Sequence, residues 1–210
     1  LDVILPEITA LKGQTQPEKY HPEGDAFVHT MQAVDVAARE KYDIETCWAV
    51  LLHDLGKGLT AHEMLPAHHG HEQLGLPLVT SVCKRLKLPK DCRVVAELVC
   101  QLHGQAHNVK EMRPAKILRL VEELAGGIHS NRPREFWRLC VCCDAFRADA
   151  MARRPDEDTE KDFFGRTWTS YRQDRWILKA YVHCRNIQMD PPDEGVTWSP
   201  REWERAHGRV

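Results

Sequence analysis

The sequence predicts an all-α protein, because its apolar residues recur at helical spacing and no stretch keeps the alternation of a β-strand. Phe27, Met31, Val34 and Ala38, for example, follow one another at intervals of four, three and four positions. The chain has 210 residues, of which 42% are hydrophobic and 29% charged. That composition suits a soluble globular protein with one sizeable core. We therefore expect a single helical bundle.

The N-terminal quarter predicts three elements and their ends. Residues 1–11 have the pattern of a short amphipathic helix, and a polar connector follows. Asp25 occupies the N-cap position of the next helix, and Thr46 is expected to cap the one after it. Gly56 follows that third helix and is well suited to end it.

The rest of the chain continues the helical pattern. A His-rich loop is expected over residues 60–75, followed by helices starting near Leu78, Asp91, Pro114 and Pro133 and a last helix over residues 171–186. Residues 154–165 are charged and are expected to form an exposed loop. We divide the chain into an N-terminal helix and connector (1–20), a helical domain (21–186) and a loosely ordered tail (187–210).

Composition also argues against several classes of protein. The net charge is -2, so the chain as a whole carries no basic signal for nucleic acid. No apolar run approaches the roughly 20 residues that span a bilayer, and no signal peptide is recognised, so we expect a cytoplasmic protein without membrane contact. The eight cysteines lie mostly in apolar, helix-like stretches, and we expect them to be reduced core residues.

One stretch combines an apolar run with two potential metal ligands. Residues 49–52 are apolar, and His53 and Asp54 follow directly. Imidazole and carboxylate both bind divalent metals, and His29 supplies another imidazole 53 − 29 = 24 positions earlier. A fourth ligand is expected from the helix after Pro133, where Asp144 and Asp149 are the carboxylates deep in the helix. These two aspartates are five positions apart, about 140° around a helix, so only one can face the metal.

These motifs resemble the HD-domain phosphohydrolases, which are defined by a spaced His, a His-Asp pair and a late Asp. Residues 16–30, 53–60, 66–72, 102–107 and 171–176 are similar to the HD part of bacterial CCA-adding tRNA nucleotidyltransferases. The resemblance covers about residues 5 to 185. That family also has a nucleotidyltransferase head with a glycine-rich motif and paired aspartates, which this sequence lacks. The chain thus resembles the C-terminal HD part alone, as a fragment or a free-standing relative, and we expect it not to add CCA by itself.

The family's late motif is Glu-Ala-Asp-Ala followed by a small residue and Arg. Residues 147–153 fit it, which makes Asp149 the preferred fourth ligand. Counting without gaps from Pro133 instead places Phe146 at the motif position, with Asp144 two residues earlier. Asp144 therefore remains the alternative.

The resemblance implies a metal-dependent phosphohydrolase acting on 2′,3′-cyclic nucleotides, 2′-nucleotides and small phosphate esters, with a link to tRNA 3′-end processing or repair. The implied cofactor is a divalent metal, Ni, Mn, Co or Mg, held by His29, His53, Asp54 and Asp149. Asp54 could also act as a general base, and Lys57 could neutralise a phosphate oxygen. His71 and His103 are expected to bind phosphate or to protonate the leaving oxygen. The substrate pocket is expected to include His21, Asp25, His69 and His107.

Two other functions fit the same sequence. A non-catalytic tRNA-binding or dimerisation module would use basic residues, of which the chain has Lys84, Arg85, Lys87, Lys90 and Arg93 close together. An HD phosphohydrolase with a 5′-(deoxy)nucleotide or a signalling cyclic nucleotide as substrate would keep the metal ligands unchanged. The sequence leaves the choice of substrate and the oligomeric state open.

Overall fold

A computed structural model describes residues 2–127, 133–153 and 171–186, together with the backbone of residues 160–161 and 167–168. The predicted all-α class is confirmed. Two pairs of residues, β1 (Glu160–Lys161) and β2 (Thr167–Trp168), form a minimal antiparallel ladder. The helices in the described ranges are α1 (Pro6–Thr9), α2 (Ala26–Arg39), α3 (Ile44–Leu52), α4 (His71–Arg85), α5 (Lys90–His107), α6 (Pro114–Ala125), α7 (Pro133–Ala152) and α8 (Gln173–Asn186), with short 3-10 turns at Leu55–Leu59, His62–Met64 and Val109–Glu111.

Helix α3 lies at the centre of the bundle. It packs against α2, α5 and α7, while α4 covers α5 and the Leu55–Leu59 turn, and α6 and α8 pack on α7. The largest fully buried apolar side chains come from all parts of the chain, and each contributes roughly 1.5–3 kcal/mol of burial free energy; they include Ile8, Leu52, Leu102, Leu124, Phe146 and Tyr181. The C-terminal end of α3 therefore lies inside the bundle, which buries the residues that follow it.

The N-terminus of α2 is capped as predicted. Asp25 Oδ1 accepts a hydrogen bond from the backbone N–H of Val28 at 3.0 Å. Its other oxygen accepts from the N–H of Gly13 at 2.7 Å, which ties the N-terminal connector to the start of the helix. His29 follows one turn later and is thereby held at a fixed height in the bundle.

The predicted cap at Thr46 is wrong. Helix α3 starts at Ile44, after Asp43, so Thr46 is inside the helix and fully buried. Its hydroxyl donates to the carbonyl oxygen of Val141 on α7 at 3.2 Å. A threonine near a helix start satisfies its hydroxyl either locally or across a helix interface, and the tertiary contact decides between the two.

The bounds of two helices also differ from the prediction. The first helix is only the four residues of α1, and Val3 is 95% exposed rather than part of an amphipathic face. Helix α4 begins at His71, ahead of the predicted start near Leu78, which shortens the His-rich loop. Its first turns contain Gly75 and Pro77 and few apolar residues, so they carry little helical periodicity.

Gly56 was expected to end α3, but it serves a different purpose. It lies in the Leu55–Leu59 turn, where a Cβ would stand 1.9 Å from the carbonyl oxygen of His71 and 2.6 Å from the nitrogen of Gly75. A Cβ on Gly75 would in turn meet the sulfur of Cys100 at 2.9 Å. The two glycines let α4 contact the turn and α5 without a gap, which brings His71 close to Asp54.

All eight cysteines are free, and five of them are buried as expected of core residues, namely Cys83, Cys92, Cys100, Cys142 and Cys143. Among the described helices, none combines the length and apolar composition that a bilayer span requires. The predicted loosely ordered tail and nearly all of the predicted 154–165 loop lie outside the described residues.

We predict that Gly56→Ala lowers the free energy of unfolding by about 2–3 kcal/mol, because the new methyl group collides with backbone atoms that cannot turn away. Urea unfolding followed by circular dichroism measures this. The matched control is Gly104→Ala, whose Cβ would meet only the carboxylate end of Glu72, at 2.7 Å. Equal losses in the two variants would contradict the proposed backbone contact.

Candidate active site

Four of the predicted metal ligands come together in the interior of the bundle. His29 is on α2, His53 is the C-cap of α3, Asp54 follows it, and Asp149 is on α7; all four are at most 2% exposed. His29 Nε2 lies 2.9 Å from Asp149 Oδ1, and His53 Nε2 lies 3.1 Å from Asp54 Oδ2. The two pairs approach each other at His53 Nε2 and Asp149 Oδ2, which are 4.0 Å apart.

The structure distinguishes the two late aspartates. Asp149 is buried and points at His29, whereas Asp144 lies on another face of α7 beside Arg147, with 3.8 Å between its Oδ1 and Nη1 of the arginine. Burial raises the pKa of Asp144 to about 6, although Arg147 acts in the opposite direction. Asp149 is therefore the aspartate next to the His-Asp pair.

The orientation of His53 leaves a lone pair inside the cluster. Its Nδ1–H donates to the carbonyl oxygen of Val50 at 2.7 Å, so a neutral ring presents the lone pair of Nε2 to Asp54 and Asp149. That Nε2 is buried and has no hydrogen-bond partner among the described residues. A buried polar atom without a partner costs about 1–3 kcal/mol. A cation held between the imidazole nitrogens and the carboxylates would remove this cost, so the donor set fits a divalent metal.

Glu23 supports the cluster from outside and was not among the predicted site residues. Its Oε1 lies 2.7 Å from Nδ1 of His29 and 2.7 Å from Nδ1 of His21. Burial opposes ionisation of Glu23, but the two histidines lower its pKa to about 2. A carboxylate behind a histidine fixes the ring and favours a lone pair on the opposite nitrogen. The only sequence signal was its position in the turn before α2, six residues ahead of His29.

Asp149 has two more partners. His107 Nε2 lies 2.5 Å from its Oδ2, and one Arg153 nitrogen, Nη2, lies 3.1 Å and 3.2 Å from its two oxygens. Burial alone would raise the pKa of Asp149, but Arg153 and His107 hold it well below the usual range. Burial also lowers the pKa of His107. His107, expected in the substrate pocket, thus touches the carboxylate at the centre of the cluster.

Asp54 is the second buried carboxylate, and Lys57 is its cation. The Lys57 ammonium lies 2.7 Å from Asp54 Oδ2 and donates to Gln16 Oε1 at 2.5 Å. Burial opposes the charge on Asp54, but His53 and Lys57 hold its pKa well below the usual range. Lys57 is 6% exposed, so it is part of the site and not a solvated surface lysine.

His71 and His103 lie on the other side of Asp54. Their Nε2 atoms are 3.4 Å and 3.5 Å from Asp54 Oδ1 and 3.1 Å from each other. Burial lowers the pKa of His103 to about 3. Burial has the same effect on His71, but Asp54 outweighs it and the pKa of His71 is raised.

The remaining predicted site residues lie at different distances from the cluster. His21 is buried and contacts it through Glu23, while burial lowers the pKa of His21 to about 4. Asp25 uses both oxygens to cap α2 and bind Gly13, and His69 is exposed on the loop before α4. His68, which the sequence did not single out, links Thr60 Oγ1 at 2.7 Å to the carbonyl oxygen of Thr15 at 2.9 Å.

Comparison with known proteins identifies the family of the chain. The model of the HD domain matches residues 24–153, a range that contains all the clustered ligands except His21 and Glu23. The chain belongs to the HD-domain family. A metal-dependent hydrolase is the activity that this membership supports, and the His/Asp groups of the site are able to hold a metal.

The relatives of this HD-domain chain are longer proteins. It is 40% identical over 188 residues to the multifunctional CCA protein of Alkalilimnicola ehrlichii, which covers 90% of the chain and 42% of the relative. For the multifunctional CCA protein of Paraburkholderia phytofirmans the identity is 44% over 150 residues, covering 71% of the chain and 35% of the relative. The chain therefore spans less than half the length of these relatives. No solved structure matches it.

The raised pKa of Asp144 predicts a pH-dependent effect of Asp144→Asn. Folding raises this pKa from 3.8 to about 6, so the folded state binds the proton more tightly and the contribution of Asp144 to stability falls as the pH rises between these values. Asn removes this loss. Because the side chain is 34% exposed, solvent screening reduces the effect. We expect the free energy of unfolding of the variant, relative to that of the wild type, to rise by about 1 kcal/mol from pH 4.5 to pH 7.5.

Urea unfolding at the two pH values provides the measurement. Asp35→Asn, on the exposed face of α2, is the control and should show no such gain. If the difference in free energy of unfolding between variant and wild type is the same at both pH values, Asp144 ionises in the folded protein as it does in the unfolded chain.

Proposed function

We propose that this HD domain is a divalent-metal-dependent phosphohydrolase that acts on 2′,3′-cyclic nucleotides, 2′-nucleotides and small phosphate esters. The observation that carries the proposal is the convergence of His29, His53, Asp54 and Asp149 from three separate segments of the bundle. Their nitrogen and oxygen atoms face one another, and a bound cation would satisfy them. In a protein core such an arrangement is costly unless it serves a ligand.

The four residues His29, His53, Asp54 and Asp149 are proposed to hold the metal. Two imidazoles and two carboxylates suit Mn, Co or Ni, and Mg is accommodated less well because it prefers oxygen ligands. When bound, the metal supplies Lewis-acid polarisation of a phosphoryl oxygen and lowers the pKa of a bound water. Glu23 would position His29, and the Val50 carbonyl would position His53.

Lys57 and Arg153 are the cations proposed to bind the phosphate. Lys57 has three N–H donors, and two are directed to Asp54 and Gln16, which leaves the third for a phosphate oxygen. Arg153 contacts Asp149 through Nη2, while its Nε is buried and has no hydrogen-bond partner among the described residues. Its Nε–H could therefore donate a hydrogen bond to a phosphate oxygen while Nη2 keeps its contact with Asp149.

We propose proton-transfer roles that differ in part from those expected from the sequence. The low pKa of Asp54 makes its carboxylate a weak base, so we assign it to holding and orienting the reactants. His71 and His103 were expected to protonate the leaving oxygen. Each donates its Nδ1–H to a backbone carbonyl, so a neutral ring carries no proton on Nε2. His103, whose pKa burial lowers, is therefore proposed as an acceptor, whereas His71, whose pKa Asp54 raises against the effect of burial, can take a second proton on Nε2 and stays a candidate donor.

The link to tRNA rests on the relatives, which are named multifunctional CCA proteins. A 2′,3′-cyclic or 2′-phosphate at an RNA 3′ end would place the phosphoester chemistry and tRNA in one process, and we propose this setting for the chain. The alternative of a purely RNA-binding module receives less support. Arg85, one of the five basic residues, donates two hydrogen bonds of 2.7 Å and 2.9 Å to Glu7, and Arg93 pairs with Glu97.

We predict that the purified chain hydrolyses 2′,3′-cyclic AMP and 2′-AMP when Mn, Co or Ni is added, and that a chelator abolishes turnover. The assay measures released phosphate and product by chromatography, with 5′-dAMP as the competing substrate. His53→Ala combined with Asp54→Ala should lose at least 100-fold in kcat/KM, because both remove metal ligands. Hydrolysis of 5′-dAMP alone would favour the alternative substrate class, and no hydrolysis with any metal would exclude the enzyme.

A second experiment separates the two late aspartates. Asp149→Asn is expected to weaken binding of Mn to the metal-free chain by at least tenfold, because the amide carries no charge and one ligand is lost. Asp144→Asn is the matched control on the same helix and should bind Mn as the wild type does. Isothermal titration measures both affinities, and thermal unfolding confirms that each variant folds. Unchanged binding in Asp149→Asn would remove this residue from the site.

A further inference from the structure

Gln16 is a buried residue whose side-chain amide can be oriented in only one way. It lies in the connector before α2, it is 5% exposed, and its Oε1 lies 2.5 Å from Nζ of Lys57. An ammonium group can only donate hydrogen bonds, so the amide atom that faces it must be the oxygen. The amide nitrogen, Nε2, therefore faces in a different direction.

The Nε2 atom of Gln16 is a buried donor without an acceptor. It carries two N–H groups, and it has no hydrogen-bond partner among the described residues. Buried N–H groups in folded proteins are nearly always paired, because an unpaired one has lost its water without a replacement. The exception at Gln16 therefore points to a bound group that supplies the acceptor.

The backbone holds this amide in place before any ligand binds. The N–H of Gln16 donates to the carbonyl oxygen of Gly24 at 2.9 Å, which closes the connector on itself. The carbonyl oxygen of Thr15 accepts a hydrogen bond of 2.9 Å from Nε2 of His68, and Thr15 also forms a β-bridge with Asp25. A side chain that is ordered in advance loses little conformational entropy when it binds a ligand.

The unpaired buried atoms of the site include acceptors and donors. His53 Nε2 is an acceptor, whereas Gln16 Nε2 and Arg153 Nε are donors. Lys57, which Gln16 contacts, adds a positive charge and one N–H that is not directed to Asp54 or to Gln16. Amide, guanidinium and ammonium donors together favour an oxygen acceptor that carries negative charge, because hydrogen bonds to charged groups are the stronger ones. The non-bridging oxygens of a phosphate ester are acceptors of this kind.

We propose that Gln16 is a substrate-binding residue, whose Nε2 donates a hydrogen bond to a non-bridging phosphate oxygen beside Lys57. This role rests on the proposed function, because that function supplies the phosphate ester. A neutral amide binds the phosphate in the ground state and in the transition state alike, so Gln16 contributes mainly to KM. It also favours nucleotides over nucleosides, which have no phosphate oxygen to accept its hydrogen bond.

Two substitutions separate the two ends of the amide. Gln16→Glu keeps an acceptor for Lys57 but replaces both N–H donors by a negatively charged oxygen. Gln16→Met keeps the length of the side chain and loses the donors and the acceptor. Binding of 2′-AMP to the full, metal-free chain is measured by isothermal titration, with adenosine as the ligand that lacks a phosphate. KM and kcat for 2′-AMP are then measured with added Mn.

We expect both Gln16 variants to bind 2′-AMP roughly tenfold more weakly than the wild type, and to bind adenosine as the wild type does. KM should rise by a similar factor, and kcat should fall by less. Gln101→Glu, at an exposed position of α5, controls for the added negative charge and should behave as the wild type. Thermal unfolding confirms that each variant folds, and either Gln16 variant alone tests the loss of the donor.

The outcomes distinguish this role from the proposed function. Wild-type affinity and KM in Gln16→Glu, with losses in Gln16→Met alone, would mean that Gln16 only holds Lys57, and the contact with substrate would be wrong. Wild-type behaviour of both variants would contradict it as well. Weaker binding of 2′-AMP in both variants, without hydrolysis by the wild type under any metal, would support the phosphate contact and overturn the proposed function. A wild type that neither binds nor hydrolyses 2′-AMP would overturn both.

Discussion

The structure depends on the burial of two carboxylates, Asp54 and Asp149, which are 1% and 2% exposed. An ionised carboxylate in a protein core costs several kcal/mol unless positive charge and hydrogen bonds surround it. Each aspartate therefore has one permanent cation, Lys57 for Asp54 and Arg153 for Asp149. The remaining contacts come from imidazoles, whose lone pairs are further hydrogen-bond acceptors in the core. A bound divalent metal would offset the negative charge and satisfy these acceptors.

The backbone decides how these groups meet. His53 keeps helical angles, with φ −61° and ψ −34°, whereas Asp54 leaves the helix, with φ −107° and ψ 12°. Neighbouring residues, which a continuous helix would direct about 100° apart, can thus face one cluster. Gly56 and Gly75 then allow α4 to approach so closely that His71 reaches the opposite side of Asp54. The chemistry of the site therefore depends on a helix end and on two contacts that exclude a Cβ.

The same constraint connects the two groups of histidines in the candidate active site. Asp54 is the one ligand that touches both groups of histidines, through different oxygens. The first group, His29 and His53 with Asp149, lies within the range that the HD-domain model matches. The second group is provided by residues of α4 and α5 that pack against the same turn. Among the described residues, Lys57 and Arg153 are the lysine and arginine in direct contact with Asp54 and Asp149, and they are the cations that we propose to bind the phosphate.

Much of this protein followed from its sequence alone. The helical periodicity predicted the all-α fold, and His29, the His53–Asp54 pair and the late aspartate had the residue types and spacing of the HD family. The sequence did not distinguish Asp149 from Asp144 by composition, because both lie in one apolar helix. It also misassigned Thr46 and Gly56, and it left Glu23 out of the site. Those roles depend on which surfaces of distant helices touch: a hydroxyl, a missing Cβ or a carboxylate acquires its function from a partner far away in the chain, and only the tertiary structure brings that partner within contact distance.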